Sequence, residues 1–246
     1  MTAPDGAPRV DAYDAVVIGA TGAVGGALAR ALLHSPACRR VVALSRRPFT
    51  ALDAAPGRSK LELHVVDYAD LEAQAAAHAR GCAVAFCAVG IGQPRKVSAE
   101  EFRRVDVEYA GAFARGAVAA GARHVSLLSA VGANAASRNR YIRTKGDAEQ
   151  AVIAAGARRT SLFRPSLLVT REIRYGVQDR LTQALFPLLA PVLPRRLHQI
   201  TVEDLGRTMQ LNAESGSGSG VEYLYYPDYV ALLRRGPAAA GSGRPS

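Results

Sequence analysis

Tyr141 and Lys145 stand four residues apart in a stretch that reads as helix, which puts a phenol and an ammonium on one helix face. Ser129 lies twelve residues before Tyr141, at the end of a short apolar run. A phenol, with a reference pKa of about 10, is a poor acid–base group at neutral pH. An ammonium beside it favours the phenolate, which is the tuning a proton donor to a carbonyl needs. A serine hydroxyl can hold the oxygen of the reacting group. Ser129, Tyr141 and Lys145 are therefore the candidate catalytic set. Only Lys60, Lys96 and Lys145 of the 31 basic residues are lysines, so a lysine at 145 is informative. A flexible primary ammonium does what a planar guanidinium cannot. The plain alternative is a solvated surface pair.

A second set lies near the start of the chain, where residues 15–30 read AVVIGATGAVGGALAR. Ala15 to Ile18 has the β-branched, apolar composition of a strand buried on both faces. Gly19, Gly22 and Gly25 follow at three-residue spacing, and then a run of good helix formers. Strand, glycine turn and helix together are the setting of a phosphate-binding turn. Gly19 permits the turn, Gly22 lets a pyrophosphate approach the backbone, and Gly25 or Gly26 lets the helix pack closely. Free N–H groups and the positive end of the helix dipole would hold the phosphates. Gly19, Thr21, Gly22, Ala23, Val24 and Gly25 are the expected contacts.

Further strands are expected at Arg40–Ser45, Leu61–Val66, Ala83–Cys87, His124–Leu128 and Arg159–Phe163, and a last short one at Val221–Tyr226. Helices are expected at Leu71–Arg80 with Asp70 as N-cap, from Ser98 to about Ala120, at Tyr141–Ala155, from Thr201 to about Asn212 and at Asp228–Arg235. This alternation predicts an α/β fold with a doubly wound parallel sheet, whose right-handed crossovers bring every strand's C-terminal end to one edge. Ala88, Val89 and Gly90 follow the fourth strand there and are expected to face a cofactor. The second strand ends in Leu44-Ser45-Arg46-Arg47, with no acid to bind a ribose 2′-hydroxyl. Arg46 and Arg47 suit a 2′-phosphate instead, which points to NADP(H) rather than NAD(H). Exposed arginine in an arginine-rich chain is the alternative. Asp67 closes the third strand and reads either as a cofactor contact or as a cap of the turn before Leu71.

The glycine turn followed by Ser and Tyr-x-x-x-Lys resembles the short-chain dehydrogenase/reductase superfamily of Rossmann-type proteins. The spelling GATGAVGG is similar to its extended and atypical branches. The stretches FCAVG, FRRVDVEYA, ARHVSLLSAVGA, YIRTKGDAEQAV and SLFRPSLL resemble, in order, the atypical group that includes the HIV Tat-interactive protein. The resemblance covers about residues 14–213. It implies that Ser129 orients a carbonyl, Tyr141 exchanges the proton and Lys145 holds the nicotinamide ribose. It also implies that Asp67 touches the adenine amino group and that Pro165 lies beside the nicotinamide. Asp106 stands where the superfamily often has a relay asparagine.

The chain has 246 residues, of which 49% are hydrophobic, enough for a substantial core. Residues 13–235 are expected to form one NAD(P)-binding domain, with about 166–235 on the substrate side and loose tails at 1–12 and 236–246. The apolar stretch Leu181–Leu193, broken by prolines, reads as core or dimer surface before substrate lid. No run is long enough to span a bilayer, and the first residues lack a signal-peptide pattern. Cys38, Cys82 and Cys87 show no metal or disulfide spacing, nor do the five histidines, and the expected setting is cytoplasmic. The net charge of +10 comes with no nucleic-acid module. The expected partner is a small-molecule substrate, with a homo-oligomer open. The expected activity is NAD(P)-dependent carbonyl reduction or the reverse. The competing readings are a dinucleotide-binding regulatory protein and a nucleotide-sugar epimerase or dehydratase.

Overall fold

The computed structural model describes residues 12–169, 198–216 and 218–235. The strands are β1 (Tyr13–Ile18), β2 (Cys38–Ser45), β3 (Leu61–Val65), β4 (Val84–Cys87), β5 (His124–Leu128), β6 (Arg159–Phe163), β7 (Leu168–Val169), β8 (Ile200–Thr201) and β9 (Gly220–Leu224). The helices are α1 (Ala23–His34), α2 (Leu71–His78), α3 (Ala99–Arg103), α4 (Tyr109–Ala119), α5 (Arg140–Ile153), α6 (Val202–Glu214) and α7 (Tyr226–Arg235). Seven strands form one parallel sheet in the order β3-β2-β1-β4-β5-β6-β9, as the alternation predicts. The apolar stretch Leu181–Leu193 lies outside the described residues.

Alternate residues of the strands feed two cores. Val17, Phe86 and Phe163 pack with Leu28 and Leu32 of α1, Met209 of α6 and Tyr229 of α7. Val16, Ile18 and Ala85 pack with Leu71 of α2, Phe113 of α4 and Val152 of α5. Each fully buried Leu or Phe contributes about 1.5–3 kcal/mol. Gly206 of α6 sits so close to α1 that a Cβ there would lie 2.5 Å from the Leu28 nitrogen. The register pairs Ile18 with Leu44 and Cys87, Leu128 with Phe163, and Phe163 with Leu224. The C-terminal ends of the strands thus align on one edge.

Three local features differ from expectation. The helix after Ser98 is not uniform: α3 and α4 are joined by a π-helical turn, Arg104–Glu108, that carries Asp106. Asp67, not Asp70, is the side chain that caps after β3, accepting from the Ala69 N–H at 2.9 Å, while Asp70 makes no capping bond. β7 and β8 form a short parallel pair of their own. Ser98, Asn139 and Thr201 cap their helices through side-chain oxygens.

Side chains of β5, β6 and β9 form a polar network that buries His124, Ser161 and Arg159 and leaves Glu222 partly exposed. Ser161 Oγ donates to Glu222 Oε1 at 2.5 Å and lies 2.7 Å from His124 Nε2. The serine has one proton and gives it to the carboxylate, so the His124 Nε2–H is the donor to Ser161. Arg159 completes the network by donating to Glu222 and to the Asn212 carbonyl. Burial, and then the Arg159 charge, push the His124 imidazole down to about 3. An imidazole depressed in the fold contributes stability that is present above its unfolded value, about 6.5, and is lost as pH falls toward 3. The acid side of the stability curve, followed by thermal midpoint, should therefore fall more steeply in wild type than in His124→Gln between these limits. Parallel curves would contradict the assignment of a neutral buried His124.

Candidate functional site

The β1–α1 turn is set by close backbone contact. Gly19 has φ +88°, and a Cβ there would lie 2.6 Å from the Ala88 carbonyl carbon and oxygen. The turn therefore rests directly on the Ala88–Val89 backbone. A Cβ on Gly25 would lie 2.1 Å from the Gly19 oxygen, so this glycine packs the helix on the turn. Gly22 is the N-cap of α1, with no side-chain cap and no acid in the first turn. Thr21 and Gly22 are exposed, Ala23 is half-buried, and Val24 and Gly25 are buried and can offer only backbone. The first N–H groups of a helix lack intrahelical acceptors, and the first turn of α1 carries no acid of its own to compete for a bound anion. That cradle fits a pyrophosphate.

Arg46 and Arg47 follow β2, and both are exposed. Arg46 lies over the Tyr68 ring at 5.5 Å. Among the described residues neither arginine pairs with a carboxylate. Beyond the ends of β2 and β3 is a cleft of about 820 Å³ that Arg46, Asp67, Tyr68, Arg104 and Tyr109 help to line. Asp67 has one oxygen committed to its cap and lines the cleft. The structure thus brings Arg46 and Asp67 to one cleft, whose lining does not include Arg47.

The inner face of α5 carries Tyr141, Lys145 and, one turn on, Glu149. Tyr141 is half-buried and its ring lies parallel to Phe102 of α3, with centroids 6.0 Å apart. Lys145 is buried and its Nζ donates to Asp106 Oδ1 at 2.6 Å. Burial alone would lower the lysine, but Asp106 and then Tyr141 raise it above its ordinary value. The second oxygen of Asp106 accepts the Ile91 N–H at 2.9 Å. Gly90 is tight against the pair, since a Cβ there would come within 3.2 Å of both Asp106 Oδ1 and Lys145 Nζ. Gly146 lets the loop after β5 cross α5, because its Cβ would lie 2.1 Å from the Ala135 nitrogen.

Ser129 stands at the end of β5 as expected, but its hydroxyl has a partner that the sequence did not suggest. It is buried, and its hydroxyl donates to Glu149 Oε1 at 2.5 Å. A hydroxyl has one proton, so in this arrangement Ser129 can accept from a further group but cannot donate to a carbonyl. Glu149 also receives Arg164 Nε and a second guanidinium nitrogen, at 2.8 Å and 2.5 Å. Arg164 in turn lies 4.3 Å over the Tyr223 ring and donates to the Tyr225 hydroxyl. Pro165, next to it, is buried, and its carbonyl accepts the Val131 N–H at 2.9 Å. Glu149 was legible in principle, being four residues beyond Lys145 on the same face. Arg164 offered no comparable signal among many arginines.

Residues 19–184 match the family described as NAD(P)H-binding. The chain belongs to this family. It is 35% identical over 153 residues to protein HTATIP2 of Rattus norvegicus, covering 62% of each chain. It is 31% identical over 171 residues to protein FMP52, mitochondrial, of Candida albicans, covering 69% of this chain and 73% of that one. The chain therefore spans about three-fifths of HTATIP2. Among solved structures, the dTDP-glucose 4,6-dehydratase DesIV of Streptomyces venezuelae, solved with NAD bound, superposes with TM-score 0.64 at 17% identity, over 90% of this chain and 80% of that one. MoeE5, solved with UDP-glucose and NAD, gives 0.62 at 21%, over 86% and 76%. At such identities these likenesses establish the Rossmann fold alone. The resemblance read from the motifs holds. The cytoplasmic expectation is corrected: FMP52 relatives, in Candida and in Aspergillus, are named as mitochondrial. Cysteine spacing and the lack of a signal-peptide pattern carry no information about that compartment. Among the described residues no helix is long and apolar enough to cross a membrane.

The Ser129 hydroxyl is bonded to a charged, buried acceptor, so Ser129→Ala should lower stability in chemical denaturation by about 1.5–3 kcal/mol. NADPH affinity should stay within twofold. An unchanged denaturation midpoint with weakened NADPH binding would place Ser129 in the cofactor site instead.

Proposed function

We propose that this NAD(P)H-binding protein is an oxidoreductase that reduces a carbonyl, or oxidises the corresponding alcohol, with Tyr141 as the acid–base group. The observation that carries this reading is the placement of Tyr141 and Lys145 on one face of α5, with Lys145 packed under Gly90 beside the turn that would hold the dinucleotide. The nicotinamide, when bound, supplies or accepts the hydride. Tyr141 gives its hydroxyl proton to the oxygen of the reacting carbonyl, or takes it back in the reverse direction. Lys145 stabilises the phenolate left behind, and its remaining N–H groups suit a ribose diol. The residues expected at the phosphates are Thr21, Gly22 and Ala23, through backbone N–H groups. Arg46, with Arg47 near it, is the basis for a preference for NADPH, and Asp67, which lines the same cleft as Arg46, is the candidate contact to the adenine. Phe102 fixes the Tyr141 ring, which lowers the entropy cost of aiming the phenol.

One observation favours a second reading. With its proton committed to Glu149, Ser129 does not supply the carbonyl donor that the motif implies. A protein that binds the dinucleotide as a sensor, with little turnover, would tolerate that.

The deciding experiment is NADPH oxidation against a panel of ketones, aldehydes, quinones and nucleotide sugars. Tyr141→Phe should keep the fold and NADPH affinity while kcat falls about a hundred- to ten-thousand-fold on the best substrate. Equal turnover by wild type and Tyr141→Phe would contradict the mechanism. No turnover across the panel with tight NADPH binding would favour the sensor.

A further inference from the structure

We propose that Asp106 is a positioning residue of this site: its carboxylate keeps the buried Lys145 charged, aims its ammonium and ties the loop after β4 to the same point. The inference rests on the proposed function only for what the ammonium is used for. Its physical basis is the geometry around Lys145.

Lys145 lies under Gly90 with its side chain 9% exposed, and Asp106 is fully covered. A lone ammonium in such a place sheds its proton easily, because burial penalises the charged form. Asp106 Oδ1 meets it at 2.6 Å. Among the described residues the ionisable groups that face Lys145 are Asp106 from the π-helical turn, Tyr141 from its own helix and Cys87 from the end of β4. Burial pushes the Cys87 thiol up to about 12, so it is neutral at neutral pH. Among the described residues Asp106 is thus the carboxylate that meets the ammonium. The neighbouring acid on α5, Glu149, is occupied by Arg164 and Ser129.

The carboxylate has a second task. Oδ2 accepts the N–H of Ile91, the residue after the Ala88–Val89–Gly90 loop. That loop supports Gly19 and so the phosphate turn. One carboxylate therefore fixes both the lysine and the loop on which the β1–α1 turn rests. An asparagine cannot do both. It presents one oxygen and one NH2 group, and each neighbour here is a donor, so one contact becomes donor against donor. π-helical turns recur at functional sites, and this one carries Asp106.

The test is the titration of lysine side chains followed by NMR on protein labelled at lysine Nζ, in the absence of cofactor. The chain has only Lys60, Lys96 and Lys145, and Lys145→Met assigns the signal. In wild type the Lys145 ammonium should persist to above about pH 10. In Asp106→Asn its titration should move down by about two pH units or more. NADPH affinity of that variant should then weaken as pH rises through the shifted range, while wild-type affinity should not. Loss of the wild-type Lys145 proton below about pH 9, or an unmoved titration in Asp106→Asn, would overturn the proposal. If Asp106→Asn does not fold, the wild-type titration decides alone. The predicted titration without any turnover would defeat the catalytic reading and leave the role of Asp106 intact.

Discussion

The carbonyl of Ala88 lies where any side chain on residue 19 would have to go, and the site is built outward from that contact. Because Gly19 has no Cβ, the turn after β1 settles on the end of β4. The loop that follows is held by the Ile91 N–H on Asp106, and Asp106 is held by Lys145. A continuous path of backbone contact and charged hydrogen bonds therefore runs from the phosphate turn to the inner face of α5. Its middle is buried, where each of these bonds is stronger and harder to leave unpaired.

α5 is positioned by two such pairings at successive turns. Lys145 reaches the π-helical turn on one side, and Glu149 reaches Arg164 at the end of β6 on the other. Tyr141 stands one turn before them, its ring stacked against Phe102. The Glu149 pairing also accounts for Ser129. A carboxylate that already serves Arg164 still has acceptor capacity, and the serine beneath it is drawn in as a donor. Breaking one partner of such a buried pair costs far more than a surface pair would, about 3–5 kcal/mol. The arrangement thus rigidifies the strand ends from β5 to β9, where Arg164 also packs between Tyr223 and Tyr225.

Much of this frame was legible in the sequence because its signals are local. His124–Leu128 and Arg159–Phe163 occur with the bounds that their apolar runs suggest, and Ser98 and Thr201 cap the helices they precede. The glycine turn was readable because strand, turn and helix are adjacent in the chain. What escaped depends on partners far apart in sequence. Asp106 and Lys145 are 39 residues apart, and nothing in spacing pairs them. The direction of the Ser129 hydroxyl depends on Glu149, twenty residues on. The π-helical turn has no composition of its own, and the β7–β8 pair is too short to leave a periodic mark.

The proposed mechanism requires a dinucleotide with its phosphates at the start of α1. Gly22 offers the most direct check. Its φ of −79° suits any residue, and a Cβ there would lie 3.3 Å from the Gly19 oxygen, a tight contact that a small backbone shift relieves, so the fold should accept a side chain. Calorimetric titration of NADPH into wild type and Gly22→Asp, with thermal midpoints to confirm folding, measures the claim. Binding should be lost or weakened at least a hundredfold in a folded Gly22→Asp, since bulk and like charge would occupy the phosphate space. Undiminished affinity in a folded variant would place the phosphates elsewhere and contradict the account.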